Sequence, residues 1–560
     1  MGASGKMTGS HLIAKALQLE GVRNIFTIAG DHILPLLDVM ADMEFRFVDT
    51  RHEQAAVHMA DAWGRLTGQP GVSMYTTPGF ANALPGLAHA LHSESPVISI
   101  SGSADLSELG RGAMQEIDQI GAATPFTKGA WMVHDARRIP DFIARAVRTA
   151  YAGRRGPVHL TIPIDVQEQE VSEDEVTFFP PHEYRAEEQT FASPKLIEQA
   201  VALLHQAQRP FVIAGGPASY ARSGDVLRRF IELTQLPLFT EDVARGLVSD
   251  DHPLCLGFFE RGLNRAARLL READVVLMLG RKQDYTIGYA QPPAIAANAR
   301  IIQIDPSPAE IGRNRGVAVG IVGAIEAVVE QLTQEAQRKT WKPLPWVKQL
   351  QAEQEAHAAW LDGLAKPEQP MHAMYVHKTL GRMLRPDDCL VFDGGDFCHF
   401  ARAFLPARQP RRWWYVPTLG MLGSSLPTAL AAKLAYRDSR VVMLTGDGAF
   451  GFNAMEFDTA VRHNLPVVTI LGNDSAWGID RQIQLGLYGR PVATDLLQSH
   501  YEMVAQGLGG HGEYVERPEA LAPALERAFA SGKPALVNVA VQRAISPRAE
   551  AAIARRQAKP

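Results

Sequence analysis

The stretch VVMLTGDGAF, residues 441–450, decides the fold. Its apolar half has the length and composition of a buried strand, and the Gly-Asp-Gly that follows is typical of a sharp turn. Further along, a second apolar run at 467–471 ends in the same way, just before Asn473. In open parallel sheets the carboxyl ends of the strands lie at one edge, and ligands bind there. The stretch therefore predicts a parallel sheet with polar oxygen atoms at its ligand-binding edge.

Similar apolar runs alternate with helical patterns along most of the chain. This alternation predicts an α/β protein with three doubly wound parallel-sheet domains, of which the first and third share a topology. Polar stretches at 168–192 and 335–364 separate the blocks. The predicted strands are 24–29, 45–49, 72–76, 97–101 and 158–164 in the first block, 211–214, 236–240, 275–279 and 301–304 in the second, and 389–392, 441–444, 467–471 and 535–541 in the third.

The 560 residues accommodate three domains of ordinary size. We expect a first domain at 7–185, a central domain at 193–340 and a third domain at 368–545. The tail at 546–560 carries Arg548, Arg555, Arg556 and Lys559 against one acidic residue, Glu550. It is therefore predicted to be a separate basic segment.

The composition excludes several classes of protein. Apolar residues make up 46% and charged residues 21%, as in an ordinary globular protein. The net charge of −5 rules out bulk positive charge as a reason to bind nucleic acid. Three cysteines are too few for a disulfide framework, and no apolar run is long enough for a membrane span. We expect a cytoplasmic protein with neither a nucleic-acid nor a membrane partner.

Asp447 and Asn473 are the candidate metal ligands. Carboxylate and amide oxygens suit Mg²⁺, which also takes oxygens from substrate phosphates. Gly446 and Gly448 would let backbone approach such a phosphate. The alternative is that Gly-Asp-Gly forms only a tight turn and that Asn473 caps a strand end.

The Gly446-Asp447-Gly448 motif followed by Asn473 resembles the signature of thiamine diphosphate enzymes. The three-block order, from Thr8 to about Val541, is similar to the acetolactate synthase, benzaldehyde lyase and 2-hydroxyacyl-CoA lyase group. The resemblance implies pyrimidine-binding, central and diphosphate-binding domains, in that order. It also implies that Asp447, Asn473 and the backbone carbonyl of Ser475 hold Mg²⁺, and that Gly395, Asp396, Gly446, Gly448 and Ala449 lie near the diphosphate of the cofactor.

Glu53 follows a predicted strand and begins a predicted helix. In the family it would hydrogen-bond the pyrimidine ring of the cofactor and so activate it; the alternative is a carboxylate that only interacts with the helix dipole. Gly420 resembles the residue whose carbonyl receives the cofactor's 4′-amino group, and Leu422 the apolar wedge beneath the bent cofactor. The alternative is that 418–423 is a simple turn before an Ala-rich helix.

A second loop of the first block, 76–82, keeps the Pro-Gly-X-X-Asn core that approaches the cofactor in the family. Pro78 and Asn82 are its candidate contacts. Thr77 stands where a glycine is common, which leaves the contacts of this loop open. The alternative is an ordinary Pro-Gly turn.

His32 and Gln115 are the candidate residues for handling substrate oxygen. A neutral imidazole can donate or accept a proton near pH 7. Benzaldehyde lyase and related lyases carry a histidine and a glutamine at the matching places, whereas acetolactate synthases generally lack this histidine. Acetolactate synthases generally keep the glutamine, so it is the histidine that favours a lyase or carboligase. The alternative is that His32 is a structural or exposed histidine. Trp477 is predicted either to line the substrate pocket or to be a core aromatic residue.

Two features bear on the substrate. Asp305 ends a predicted strand and either binds a ribose hydroxyl of ADP or FAD or caps the turn at Pro306. The basic tail, with Arg548, Arg555 and Arg556, is either a frayed solvated segment or a lid over the phosphates of coenzyme A.

Together these features predict a lyase or carboligase that cleaves a 2-hydroxyacyl-CoA thioester to an aldehyde or ketone plus formyl-CoA. The alternatives are an acyloin carboligase of the benzaldehyde lyase type, an acetolactate synthase, and a regulatory subunit that binds the cofactor without turnover. The resemblance also implies a homodimer or a homotetramer.

Overall fold

The structure is a computed structural model, and it describes residues 5–185, 190–220 and 223–557. The chain divides into two compact units. The first holds the described residues up to Arg185 together with 416–437 and 453–465. The second holds the rest. Three six-stranded sheets, each parallel throughout, confirm the predicted α/β class.

The first unit is built on one of these sheets, with strand order β3-β2-β4-β5-β7-β6 and a small antiparallel ribbon of β1 and β8. Its strands are β1 (Lys6–Thr8), β2 (Asn24–Thr27), β3 (Arg46–Asp49), β4 (Gly71–Tyr75), β5 (Val97–Ser103), β6 (Ala130–Met132), β7 (Val158–Pro163) and β8 (Glu170–Ser172). Its helices begin with α1 (Gly9–Leu19), α2 (Leu34–Ala41), α3 (Glu53–Thr67), α4 (Thr77–His92), α5 (Gln119–Ala123), α6 (Ile139–Tyr151), α7 (Ile164–Glu168) and α8 (Pro181–Tyr184).

The central sheet has the order β11-β10-β9-β12-β13-β14. Neighbouring residues of β9 alternate between two hydrophobic clusters, Phe211 in one and Val212 in the other, so this sheet is buried on both faces. Its strands are β9 (Pro210–Ala214), β10 (Leu238–Thr240), β11 (Cys255–Phe258), β12 (Val275–Leu279), β13 (Arg300–Asp305) and β14 (Val319–Val322). The accompanying helices are α9 (Pro194–Gln206), α10 (Gly216–Tyr220), α11 (Gly224–Thr234), α12 (Arg265–Arg268), α13 (Ile325–Ala336) and α14 (Pro345–Leu364).

The third sheet has the order β16-β15-β17-β18-β20-β19. Relative to chain order this is the arrangement of the first sheet, so the predicted shared topology is confirmed. Its strands are β15 (Cys389–Phe392), β16 (Trp413–Tyr415), β17 (Val441–Gly446), β18 (Val468–Asn473), β19 (His511–Val515) and β20 (Ala535–Ala540). The remaining helices are α15 (Ala373–Gly381), α16 (Asp396–Phe404), α17 (Ser425–Ala435), α18 (Asp447–Phe450), α19 (Glu456–Arg462), α20 (Gly478–Tyr488), α21 (Tyr501–Gly507), α22 (Pro518–Ala530) and α23 (Pro547–Gln557).

The polar stretch at 335–364 does follow the central sheet, but most of it is helical. Helix α14 occupies its last two thirds and buries Trp346 and Leu350 among the hydrophobic residues of the central sheet. Its polar composition reflects the solvated face of a long helix rather than an irregular linker.

The tail also forms a helix. Helix α23 packs against α20, where a Cβ on Gly486 would lie 2.7 Å from the side chain of Ile553. Lys559 lies outside the described residues. Within the described part of the chain, no helix is both long and apolar enough to cross a bilayer.

Candidate active site

Glu53 is the first residue of α3, and its carboxylate is held from the side by α4. Nδ2 of Asn82 donates to Oε2 of Glu53 over 3.0 Å. A Cβ added to Gly79 would lie 2.8 Å from Oε1 of Glu53. The Pro-Gly-X-X-Asn segment is therefore more than a turn, because Gly79 leaves room for the carboxylate and Asn82 orients it. Pro78 occupies the first turn of α4, where its missing N–H is tolerated.

His32 lies just beyond the carboxyl end of β2 and is only 3% exposed. Its Nδ1 lies 3.0 Å from Oγ1 of Thr76 and 3.3 Å from Oγ1 of Thr77. Burial lowers the pKa of the imidazole, and the charges of Asp31 and Asp105 oppose that shift. The ring is thus kept neutral to lower pH than a solvated histidine, which suits a proton acceptor.

Gln115 and Gln119 occupy different environments. Gln115 lies on an exposed loop with a φ of +59°. Gln119 begins α5, is 2% exposed, and donates from Nε2 to Oγ1 of Thr77 over 3.0 Å. The sequence pattern singled out the first glutamine, and its role stays a prediction. The second glutamine, which the sequence reasoning missed, is the one bonded to the threonine beside His32.

Gly420 and Leu422 lie in the segment 416–437, which belongs to the first unit with α3. Gly420 has a φ of +72° and open space around its Cβ position, so the turn favours glycine for its backbone rather than for close packing. Next to it, Sδ of Met421 accepts a hydrogen bond from Nε2 of Gln54 on α3. The predicted turn before α17 is confirmed, and the cofactor contacts of Gly420 and Leu422 stay predictions.

Asp447 and Asn473 end neighbouring strands of the third sheet, as the sequence predicts. β17 pairs with β18 up to Gly446 opposite Gly472, so Asp447 and Asn473 both follow directly from this paired end. Oδ2 of Asp447 accepts from the backbone N of Ala476 over 3.2 Å, and Nδ2 of Asn473 donates to the carbonyl of Ser499 over 3.0 Å. The two side chains are buried and held in place by backbone groups.

The charge at this edge is negative, with Arg543 as a counter-charge beside Asp474. Burial raises the pKa of Asp447, and the neighbouring carboxylate of Asp474 raises it further. Burial, with help from Asp474 and Asp480, raises the pKa of Asp396 to about 7. Oδ2 of Asp396 is buried and has no hydrogen-bond partner among the described residues. Neighbouring buried carboxylates, one of them with an oxygen that has no partner, fit a divalent cation with a few oxygen ligands.

The predicted metal ligands are not all charged or imidazole side chains. No cluster of three or more His, Cys, Asp or Glu side chains in the described ranges is arranged to hold a metal. The expected set instead combines one carboxylate with an amide oxygen and a carbonyl, which suits Mg²⁺ completed by phosphate oxygens. The carbonyl of Ser475 accepts from Nη2 of Arg543 over 2.9 Å, so its role as a metal ligand stays a prediction.

The glycines of this edge have separate physical roles. A Cβ on Gly448 would lie 2.7 Å from the ring of Trp477, so this glycine leaves room for the indole and not only for a phosphate. Gly446 has an ordinary φ of −90° and nothing within 4 Å of its Cβ position. Gly395 has a φ of +97°, which favours glycine, and it caps α16 directly before Asp396. Gly446 and Gly395, which has nothing within 4 Å of its Cβ position either, leave space at the predicted diphosphate position, and the role of the buried Ala449 in α18 stays a prediction.

The sequence matches three known domains in the expected order. Residues 7–122 match the thiamine pyrophosphate enzyme N-terminal TPP binding domain, 197–332 the central domain, and 393–539 the C-terminal TPP binding domain. Thiamine pyrophosphate is another name for thiamine diphosphate. The chain belongs to the thiamine pyrophosphate enzyme family. Both TPP binding domains of the family are therefore present in the chain.

Relatives within the family carry different activities. The chain is 34% identical over 540 residues to an acetolactate synthase large subunit, IlvG, of Mycobacterium tuberculosis, covering 95% of each chain. It is 32% identical over 546 residues to an oxalyl-CoA decarboxylase of Escherichia coli, covering 95% of this chain and 94% of the relative. It is 32% identical over 553 residues to a 2-hydroxyacyl-CoA lyase of Arabidopsis thaliana, covering 95% of each. The three sequence identities, 32% to 34%, are too close to one another to identify the substrate of this chain.

In this thiamine pyrophosphate enzyme, Asp305 is fully buried at the end of β13. Its Oδ1 accepts from the backbone N of Ser307 over 2.9 Å, which is the turn-capping interaction weighed above. An ADP or FAD bound to the central domain stays a prediction.

Trp477 is half-buried, and its ring lies 6.1 Å from that of Phe452 in an edge-to-face arrangement. The indole is therefore packed on one side and accessible on the other, which is compatible with both of the alternatives predicted for it.

The basic tail places arginines beside the central domain. Nη1 of Arg548 lies 3.7 Å from Oε2 of Glu260. Burial lowers the pKa of Arg261, Glu260 opposes this shift and Arg555 adds to it. Arg555 and Arg556 are exposed on α23. Two guanidinium groups close enough to repel, on partly exposed side chains, favour binding of an anion.

Proposed function

We propose that the protein is a thiamine diphosphate-dependent carbon–carbon lyase that cleaves a 2-hydroxyacyl-CoA to an aldehyde or ketone plus formyl-CoA, and that catalyses the reverse ligation. The observation that carries the proposal is His32, buried beyond the end of β2 with Nδ1 held by two threonine hydroxyls. Nε2 of this ring has no hydrogen-bond partner among the described residues and is therefore available to a substrate hydroxyl.

The binding roles follow from the chemistry of the side chains. Asp447 and Asn473, with the carbonyl of Ser475, would hold Mg²⁺ and through it the diphosphate. Gly395, Asp396, Gly446, Gly448 and Ala449 would border the diphosphate. Gly420, Leu422, Pro78 and Asn82 would contact the rest of the cofactor. Bound there, the cofactor supplies an electron sink that stabilises a carbanion at the broken carbon–carbon bond.

Two side chains of the chain handle protons. Glu53 holds a proton at its carboxylate for the cofactor's pyrimidine ring, and Asn82 keeps that carboxylate in one orientation. His32 takes the proton of the substrate 2-hydroxyl at Nε2 as this oxygen becomes a carbonyl, and returns it in the ligation direction. Gln115 would donate a hydrogen bond to substrate oxygen.

The thioester part of the proposal rests on the tail. Arg555 beside Arg261, with Arg548 and Arg556 on the same helix α23, forms a basic surface that suits the phosphates of coenzyme A. The names of two relatives, the oxalyl-CoA decarboxylase and the 2-hydroxyacyl-CoA lyase, support a CoA thioester as substrate.

The test compares substrates with the purified protein loaded with thiamine diphosphate and Mg²⁺. A 2-hydroxyacyl-CoA should yield formyl-CoA and an aldehyde or ketone, and the free hydroxy acid should not react at a comparable rate. Arg555→Ala should raise KM for the thioester about tenfold and leave kcat unchanged, since one charge-assisted contact to phosphate is lost. The exposed Arg382→Ala is the matched control.

Other outcomes would identify the alternatives. Equal turnover of the free hydroxy acid would remove the CoA claim and favour an acyloin carboligase. Release of acetolactate from pyruvate as the faster reaction would identify an acetolactate synthase. Cofactor binding without exchange of the cofactor's C2 proton would identify a regulatory subunit.

A further inference from the structure

A continuous chain of buried hydrogen bonds joins His32 to the interior of the first sheet. It is built on β5 and β7, whose register places Ser99 opposite His159 and Ser101 opposite Thr161. All its members are buried. They are, in order, Tyr75, Ser99, His159, Thr161, Gln119, Thr77 and His32.

The direction of the chain is set at Gln119, whose carboxamide is saturated. Its Oε1 accepts from Ser101 and from Oγ1 of Thr161, the latter over 3.2 Å. Its Nε2 donates to Oγ1 of Thr77 and to the carbonyl of Gly102, each over 3.0 Å. Because a carbonyl only accepts, the amide nitrogen must face Gly102, and the reversed orientation is excluded.

The groups before Gln119 follow from this orientation. Thr161 has one hydroxyl proton and gives it to Gln119, so it accepts from Nε2–H of His159 over 3.0 Å. Burial lowers the pKa of His159 to about 3, so the ring is neutral and its Nδ1 accepts from Ser99 over 2.9 Å. Ser99 in turn accepts from Tyr75. Every proton in this part of the chain has one assigned position.

Thr77 connects these hydrogen bonds, whose directions are now assigned, to His32. Its hydroxyl lies 3.1 Å from the carbonyl of Gly102 and must donate there, since otherwise two oxygen lone pairs would face each other. Both lone pairs of Oγ1 then accept, one from Gln119 and one from Nδ1 of His32 over 3.3 Å. A deprotonated Nδ1 would face a lone pair of Thr77. Oγ1 of Thr76, 3.0 Å from Nδ1, can either accept from it or donate to it, so Thr77 is the contact that favours the hydrogen on Nδ1.

We propose that Gln119 and Thr77 are positioning residues that hold neutral His32 as its Nδ1–H tautomer and so keep the lone pair on Nε2. The backbone of His32 also packs closely against β5, since a Cβ on Gly102 would lie 2.6 Å from Cβ of His32. The value of this tautomer for catalysis rests on the proposed function. The tautomer itself does not.

The test is nitrogen NMR of the intact protein labelled with ¹⁵N in the histidine rings, at a pH where His32 is neutral. The signals of His32 are those lost in His32→Asn. Nε2 is recognised because it couples to both ring carbon protons. We expect Nδ1 to be of the protonated type and Nε2 of the unprotonated type. The opposite assignment would overturn the proposal.

Two variants test the positioning role. Thr77→Val keeps the shape of the side chain and removes both lone pairs, so the Nε2–H tautomer should become populated and kcat should fall about tenfold at unchanged KM, the equivalent of one lost hydrogen bond. Thr77→Ser keeps the hydroxyl and should restore both. An unchanged tautomer ratio in a folded Thr77→Val would overturn the role of Thr77. If this variant does not fold, the wild-type spectrum still decides the tautomer.

The proposal and the proposed function fail separately. Full activity of His32→Asn, together with an Nδ1–H signal in the wild type, would remove the catalytic role of His32 and support the tautomer assignment. Loss of activity together with an Nε2–H signal would support the catalytic role and overturn the tautomer assignment.

Discussion

Asn82 holds Glu53 through a hydrogen bond of 3.0 Å between Nδ2 and Oε2. Glu53 begins α3 and Asn82 lies in the second turn of α4, so the bond ties the carboxylate to a neighbouring helix. Asn82 can donate to this carboxylate but cannot neutralise it. The carboxylate is thereby oriented while remaining able to exchange a proton.

Replacing Glu53 by Gln should leave the fold intact and remove most activity. Glutamine keeps one oxygen that can accept from Asn82, but it cannot hold or release a proton. We expect kcat to fall by about 10²–10⁴, the usual contribution of a general acid or base. The rate of cofactor C2-proton exchange, measured beside thermal unfolding, checks this. Glu198→Gln, on the exposed face of α9, is the control. Wild-type exchange in Glu53→Gln would show that the glutamate is wrongly assigned.

Gly79→Ala should both destabilise the protein and lower its activity. The new Cβ would lie 2.8 Å from Cβ of Tyr75 and 2.8 Å from Oε1 of Glu53. Neither the strand-bound Tyr75 nor the oriented carboxylate can move freely, so overpacking should cost roughly 1–3 kcal/mol in free energy of unfolding. Denaturant unfolding and turnover are the measurements.

Gly363→Ala supplies the matched control for this change. Gly363 lies inside α14 with nothing within 4 Å of its Cβ position, so alanine should stabilise the protein by up to about 1 kcal/mol through helix propensity. If Gly79→Ala behaved like Gly363→Ala, the close approach between Gly79 and Glu53 would not be real.

The central strands could be predicted from the sequence because each is a short buried apolar run. The structure confirms 275–279 and 389–392 without a shift and most of the others within a few residues. Short edge strands such as β6 and β19 were missed. β19, His511–Val515, is partly exposed and reads as polar, so its pairing with β20 depends on the tertiary fold rather than on local pattern.

The residues of the candidate site likewise include some that the sequence could predict and some that it could not. Asp447 and Asn473 were predictable because each directly follows an apolar strand. Gln119 was not, since its partners Thr161 and Ser101 reach it only through the register of β7 against β5. Sequence pattern predicts that strands exist, but it does not state which residues lie opposite each other.

Asp447→Asn should weaken binding of thiamine diphosphate in the presence of Mg²⁺. The amide keeps an oxygen for the backbone N of Ala476 but removes the negative charge that attracts the metal. We expect at least about a tenfold increase in Kd, because a lost charge at a buried site exceeds one hydrogen bond in free energy. Titration calorimetry with Mg²⁺ and with a chelator checks this, and the exposed Asp387→Asn is the control. An equal, metal-dependent Kd in Asp447→Asn would contradict the metal assignment.

His32 should shape the pH dependence of both activity and stability. Burial lowers the pKa of its imidazole below the ordinary value of 6.5, against the opposing charges of Asp31 and Asp105. The folded state therefore binds fewer protons at this site than the unfolded state. The contribution of His32 to the free energy of unfolding is fully present above pH 6.5 and is lost as the pH falls below that value.

The pH dependence of activity should show the same shift. The acid limb of the kcat/KM profile should lie below pH 6.5, since Nε2 of His32 stays unprotonated to lower pH. Asp105→Asn, which removes one opposing charge, should move this limb to still lower pH, and His32→Asn should lose less stability on acidification than the wild type. An acid limb of kcat/KM at or above pH 6.5 would mean that burial does not control the pKa of His32. Equal loss of stability on acidification in the wild type and His32→Asn, measured by denaturant unfolding, would mean the same.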